Sequence, residues 1–143
     1  NDIITFFGNK GEIVINTRLV TFDSGFEISG SKNSELLLEY FSIIRKYNLQ
    51  NLDLLEIFYK AQIENNQNRI DSVNGQLENL IKRKYLYSLN FAITNSSNEV
   101  SPYIAVSQIP DANRDLLKKL YDTLPENIKS SKYGKVLNNL TVD

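Results

Sequence analysis

The chain has 143 residues, of which 41% are hydrophobic and 23% are charged, with a formal net charge of −1. This length and balance are typical of a globular domain with a core of useful size, and the near-neutral charge gives no general attraction to nucleic acid or anionic membranes. The absence of Cys and His excludes thiol nucleophiles, disulfides, imidazole bases and the usual zinc ligands.

No apolar run approaches the roughly 20 residues of a membrane-spanning helix, so we predict no membrane span. The sequence contains no Met, and we expect it to be a processed or trimmed piece of a longer protein.

Residues 1–30 are predicted to form a small antiparallel β-sheet. The runs 3–7 and 12–16 flank the turn-rich tetrad 8–11 and suit a hairpin, and a third run covers about 20–29. The apolar side chains of three strands need a cover, which helices or missing upstream strands would supply. We therefore interpret 1–30 as the remnant of a β-domain.

The turn Gly30-Ser31-Lys32-Asn33 has the general form of a phosphate-binding loop, because it joins a strand to a helix. A P-loop needs two glycines at fixed spacing and a Lys-Ser/Thr pair, and this turn has neither. We interpret it as a strand-to-helix turn with a polar cap, in which Asn33 or Ser34 is the N-cap.

The remainder, 31–143, is predicted to be a helical domain. Apolar residues from Leu36 to Tyr47 recur at three- and four-residue spacing, and Asn48 is a predicted stop. For 51–94 we favour one long helix, and the alternative is a helical hairpin broken at Gly75. The expected fold is thus mainly α with a small N-terminal antiparallel β-sheet, a long central helix and short C-terminal helices.

The long helix carries a heptad-like seam that continues through Gly75 without a change of phase. Either the seam is buried against the chain's own short helices, or it is a contact surface for another protein, with two tyrosines as anchors. The candidate interaction residues are Tyr59, Ile63, Ile70, Val73, Leu77, Leu80, Tyr85 and Tyr87.

Three short helices are predicted in the last third. Ser101-Pro102 opens the first, which ends at Ile109-Pro110. Asp111 caps the second, and Ser130 or Ser131 caps the last.

Few residue patterns in the sequence are typical of catalysis or nucleic-acid binding. The run Lys82-Arg83-Lys84-Tyr85 mixes basic and aromatic residues, but on a helix they would point around most of the circumference, so we predict no nucleic-acid binding. Pairs such as Glu35 with Glu39 lie near a helix start, where the helix dipole accounts for them. We predict no enzymatic activity, no cofactor and no metal site within the chain.

The order of features resembles the N-terminal accessory region of thioredoxin-like thiol-disulfide oxidoreductases and peroxiredoxin-like proteins of the Bacteroidetes. The segments FEISGSKNSELLLEYF, SPYIAVSQI and RDLLKKLYDTLPENIKSSKYGKVL carry this resemblance, which covers about 13–140. The matching positions are Gly30, Ser31, Asn33, Pro102–Gln108, Leu124, Ser131, Tyr133, Gly134 and Leu137. The family's CxxC motif has no counterpart here, so no catalytic residue carries over.

The resemblance implies a non-catalytic accessory module that positions a downstream thioredoxin-like domain in cis, binds a protein client, or forms a homodimer. It implies a periplasmic or outer-membrane-associated location in the cell envelope, with a signal or a lipid anchor upstream of this chain. The alternative is a stand-alone helical scaffold or binding lipoprotein of the envelope with no enzyme attached.

Overall fold

The computed structural model describes residues 3–8, 10–18, 20, 22 and 25–142. Within these residues the chain forms two short strands and six helices, which confirms a mainly α fold with a small antiparallel β-sheet. The elements are β1 (Val14–Asn16), β2 (Glu27–Ser29), α1 (Lys32–Ile63), α2 (Gln67–Thr94), α3 (Val100–Gln108), α4 (Arg114–Thr123), α5 (Glu126–Lys129) and α6 (Lys132–Thr141).

The β-sheet differs from the predicted hairpin. β1 pairs with β2, with Ile15 opposite Ile28, whereas the described residues 3–8 form no strand. The side chains of β1 alternate between the two sides of the sheet, because Ile15 is half-buried and its neighbour Val14 is exposed. Some predicted β residues lie outside the described residues: Asn9 of the turn, and Thr21, Asp23 and Ser24 of the third run.

The segment 3–8 binds to helices instead of to a strand. The backbone N–H of Phe7 donates to the Ser34 hydroxyl at 2.9 Å. The Phe7 ring meets Tyr103 of α3 and Tyr133 of α6 edge-on, with centroids 5.3 and 6.3 Å away. The first described residues are therefore attached to α1, α3 and α6.

The turn before α1 is a capped strand-to-helix connection, as predicted, but its cap is two or three residues earlier than expected. Ser31 is the N-cap, and its hydroxyl accepts from the backbone N–H of Ser34. The predicted cap Asn33 accepts instead from the backbone N–H of Val100. Gly30 has φ +87°, and a Cβ there would lie 2.2 Å from the carbonyl oxygen of Glu12, so glycine is required.

Helix α1 continues through the predicted stop at Asn48 and ends only at Ile63. Asn costs a helix interior less than 1 kcal/mol relative to Ala, and no Gly or Pro follows Asn48 before Ile63. The Asn48 side chain accepts a hydrogen bond from Lys84 Nζ of α2 at 2.9 Å. A tertiary contact therefore occupies the side chain that was expected to end the helix.

Neither predicted arrangement of 51–94 is correct, because the chain reverses at 64–66. Asn65 has φ +52°, a left-handed conformation that Asn tolerates better than most residues. Asn66 then caps α2, and its side chain accepts from the backbone N–H of Arg69 at 3.1 Å. Gly75 lies inside α2, which is unbroken there.

The C-terminal helices are close to expectation. Ser131 caps α6, as predicted, and accepts from the backbone N–H of Gly134. Helix α3 begins one residue before Ser101, and α4 is capped by Asn113 instead of Asp111. The short helix α5 was not predicted.

The hydrophobic core joins the start of α1 and the end of α2 to the C-terminal helices. No residue of 48–86 belongs to it. The buried core residues are Leu36, Leu37, Tyr40, Ile44, Phe91, Ala92, Val100, Ile104, Ala105, Leu117, Leu120, Leu124, Ile128 and Leu137.

Candidate interaction surface

The distal half of the α1–α2 hairpin extends past the core. We call residues 49–83 the arm. Its base is marked by the hydrogen bond between Asn48 and Lys84, and its tip is the turn at Asn65. The fifteen α1 residues of the arm have a length of about 22 Å at 1.5 Å per residue.

Four of the predicted interaction residues lie on the α2 side that faces α1. Val73, Leu77 and Leu80 step by four and three residues, and the same phase leads on to Lys84 and Ser88, which bond to α1. Val73 and Leu80 are buried, and Leu77 is half-buried. Ile70 shares this phase and is half-buried near the tip. These residues hold the hairpin together, so the seam meets α1 and not the short helices.

Tyr87 and Tyr85 lie at the base of the arm. Tyr87 stacks on Tyr40, with ring centroids 5.7 Å apart, and also contacts Tyr47 and Phe91. Tyr85 is half-buried. Tyr87 is therefore part of the aromatic contact between α1 and α2.

The buried hydroxyl of Tyr40 lies within this aromatic group. It shares a 2.7 Å hydrogen bond with the hydroxyl of Ser88, which also donates to the Lys84 carbonyl. Burial raises the pKa of Tyr40 to about 12, and the bond to Ser88 opposes this rise only in part. Tyr40 is consequently neutral over the physiological range, and its role is structural.

The two remaining predicted residues are exposed on the arm. Tyr59 and Ile63 are 58% and 82% exposed. Leu52 and Leu55 precede them at helical spacing, so the four residues step by three, four and four and share one side of α1. Leu52 is also exposed, at 61%.

Helix α2 contributes to the same side of the arm. Leu54 of α1 and Leu80 of α2 line one groove. In an antiparallel helix pair, the residues that directly follow such a facing pair lie on a common side. Leu55 and Ile81 are those residues, and Ile81 is 63% exposed. We call Leu52, Leu55, Tyr59, Ile63 and Ile81 the arm face.

Charged residues of α2 border the arm face. Asp71, Glu78 and Lys82 are spaced by seven and four residues and so share one side of α2 with Ile81. Asp71 lies toward the tip and Lys82 toward the base. The border therefore has a negative charge at its tip end, from Asp71, and a positive charge at its base end, from Lys82, with Glu78 one helical turn from Lys82.

The interaction residues predicted from the sequence did not include Leu52, Leu55 and Ile81. The helical spacing did indicate two of them, because Leu52 and Leu55 are in phase with Tyr59. This spacing was overlooked because Tyr59 and Ile63 were assigned to the same seam as Ile70. That assignment crosses the turn at Asn65, which separates two helices.

The described residues offer little for chemistry. Among them, no group of three or more Asp and Glu side chains is arranged to hold a metal ion. No described helix combines the length and apolarity that crossing a membrane requires.

No protein-family model, no curated protein and no solved structure matches this chain. The resemblance to thioredoxin-like accessory regions therefore stays a prediction based on the positions given above.

Proposed function

We propose that this chain is a non-catalytic interaction module that pairs with a second copy of itself through the arm face. The observation that carries the proposal is the row of apolar side chains on the arm. Four of them are exposed, and no core element of the described residues covers them: Leu52, Tyr59, Ile63 and Ile81. Isolated exposed apolar residues are ordinary, but four such residues on one side of one arm are typical of a contact surface. The arm face is defined by its α1 row and by Ile81 of α2.

Charge complementarity favours a second copy as the partner. When two arms pair antiparallel about a two-fold axis, the tip of each lies against the base of the other. Asp71 of each copy then lies next to Lys82 of the other, so the acidic and basic ends are matched twice. A parallel pairing would place like charges together.

The strength of the pairing follows from the size of the arm. One side of an arm that is about 22 Å long and two helices wide, at about 10 Å per helix, has roughly 440 Å², which is less than the standard stable interface of about 800 Å² per partner. We therefore expect a reversible dimer whose population depends on protein concentration.

The test is sedimentation equilibrium over a wide range of protein concentration. The wild-type chain should pass from monomer to dimer, and Ile63→Glu should stay monomeric with an unchanged circular dichroism spectrum, because Ile63 is exposed. Val142→Glu is the matched control, since Val142 is also exposed, at 58%, but lies outside the arm. It should dimerise like the wild type.

A charge exchange tests the orientation. Asp71→Lys and Lys82→Asp should each raise the dissociation constant about tenfold, because each places like charges together at two contacts of about 0.2–1 kcal/mol. The double variant should recover the wild-type value. A wild-type chain that is monomeric at every concentration would refute the proposal, and a double variant no better than the singles would refute the antiparallel arrangement.

The wider context is a second proposal, supported by the resemblance alone. In it, the module belongs to an envelope thioredoxin-like thiol-disulfide oxidoreductase, and pairing of the arms would set the spacing of two redox domains. The alternative is a stand-alone scaffold or binding lipoprotein. The reading frame around this chain distinguishes them, because only the first requires a CxxC-bearing domain downstream.

A further inference from the structure

A cavity of about 450 Å³ lies between α1 and the non-helical segments that carry Ile3 and Phe26. Its volume is in the range of small-molecule sites, about 300–1,000 Å³. On the α1 side, Leu38, Phe41 and Ile44 contribute apolar wall. Much of the lining is therefore hydrocarbon or aromatic ring.

The same cavity has a cationic side. Arg45 is the charged residue among the described residues that line it. In the described part of the chain, its guanidinium takes part in no hydrogen bond or ion pair. A guanidinium without a carboxylate partner can accept a carboxylate or phosphate with two parallel hydrogen bonds.

Asn48 and Lys84 add to the capacity of this cationic side to bind an anion. Asn48 also lines the cavity, and its Oδ1 accepts from Lys84 Nζ at 2.9 Å. The bond to Lys84 occupies the oxygen of the Asn48 amide and leaves its N–H groups to donate to another acceptor. Lys84 places a second positive charge one hydrogen bond away from the cavity.

We propose that this cavity binds a single-chain amphiphile with an anionic head, of the class of medium-chain carboxylates. The chain would lie against Leu38, Phe41 and Ile44, and the head would bond to Arg45 and Asn48. A bare inorganic anion would leave the apolar wall unfilled, and a purely apolar molecule would leave the guanidinium unpaired. The inference is independent of arm pairing, because none of these residues belongs to the arm face.

Titration calorimetry with acetate, hexanoate, octanoate and decanoate, below their micelle concentrations, tests the ligand class. Affinity should rise about fourfold for each methylene that enters the cavity, and acetate should show no binding. Decylammonium has the same chain with the opposite charge and should bind at least tenfold more weakly than decanoate. Equal binding of the two, or acetate binding as well as decanoate, would overturn the proposal.

Two variants locate the site. Arg45→Gln should weaken decanoate binding about tenfold, the usual effect of losing a hydrogen bond to a charged group. Lys46→Gln is the matched control, because Lys46 is a neighbouring exposed cation outside the cavity lining, and it should bind decanoate like the wild type. Thr5→Trp should also weaken binding, since an indole at this lining position fills the space without changing the charge.

The location is checked by amide chemical-shift changes on adding decanoate, which should fall on α1 residues around Phe41 and on Thr5. Shifts confined to the arm face, or an Arg45→Gln affinity equal to that of the wild type, would overturn the proposal. Binding to vesicles of anionic phospholipid in the absence of decanoate binding would also overturn it, in favour of a membrane surface.

Discussion

Tyr40 is completely buried, yet it carries a polar hydroxyl into the core. The hydroxyl is bonded to Ser88, and Ser101 is likewise buried and donates to the Ala92 carbonyl at 2.7 Å. Among the described residues, every buried side-chain nitrogen and oxygen has a partner. Because an unpaired buried polar group costs about 1–3 kcal/mol, these bonds fix which faces of α1, α2 and α3 meet.

Alkaline pH should reveal the role of Tyr40. Its pKa is raised by burial to about 12 in the folded chain, from 10.0 in the unfolded chain. Because its pKa is raised, Tyr40 keeps its proton to a higher pH in the folded state than in the unfolded state. Its contribution to the free energy of unfolding is therefore complete below pH 10 and is lost as the pH rises through about 12. A shift of this size corresponds to roughly 3 kcal/mol.

We therefore expect urea unfolding to show wild-type stability falling steeply between pH 10 and pH 12, with a shallower fall in Tyr40→Phe. At pH 7, Tyr40→Phe should cost only about 1 kcal/mol, because Ser88 keeps its bond to the Lys84 carbonyl. The exposed Tyr59→Phe is the control and should follow the wild type. Equal slopes for Tyr40→Phe and the wild type would contradict this assignment.

Two glycines within helices give opposite predictions at the scale of the element. A Cβ on Gly75 in α2 would meet nothing within 4 Å, whereas a Cβ on Gly134 in α6 would lie 2.1 Å from the carbonyl oxygen of Ile128. Gly75→Ala should stabilise the fold by about 0.5–1 kcal/mol, because it removes the helix cost of glycine. Gly134→Ala should destabilise it by about 1–3 kcal/mol, because α5 and α6 must separate.

The two alanine variants serve as controls for each other. Their chemical unfolding midpoints should move in opposite directions from the wild type, with unchanged slopes. A rise of both midpoints would show that the close approach of α5 and α6 does not depend on Gly134, and a fall of both would contradict the prediction for Gly75.

Helix caps were predictable only in part. Ser131 caps α6 as expected, but Ser31 caps α1 in place of Asn33 or Ser34, and Asn113 caps α4 in place of Asp111. The reversal at Asn65 could not be anticipated, because Ile63, Asn66 and Ile70 keep helical spacing across it. Helical spacing shows which residues share a face only if those residues belong to one helix. The left-handed φ of Asn65 does not change the spacing of the apolar residues around it.

The candidate site was predictable only in part, for the same reason. Tyr59 and Ile63 were identified and are exposed, while Val73 and Leu80, named with them, are buried between α1 and α2. Exposure depends on where the hairpin turns. The cavity beside Arg45 could not be predicted at all, since it arises from the non-helical segments around Ile3 and Phe26.

At the scale of the whole molecule, the described residues form a compact core and an arm that extends past it. The core joins α3, α4, α5 and α6 to the proximal ends of α1 and α2, and its residues are buried. The arm is held by its own seam and presents its apolar row outward. Substitutions on the arm face should therefore change association without unfolding the core.

The contact of Phe7 with Tyr103 and Tyr133 has a consequence for the order of events during folding. Phe7 is synthesised before its partners Tyr103 and Tyr133, which follow it by 96 and 126 residues. Closing so long a loop costs entropy that only formed partners repay. Pulse-labelled hydrogen exchange should then find the Phe7 amide, which Ser34 protects, slower to gain protection than the amides of α2. Simultaneous protection would contradict this order. A segment that is synthesised before its partners would thus reach its native place after them.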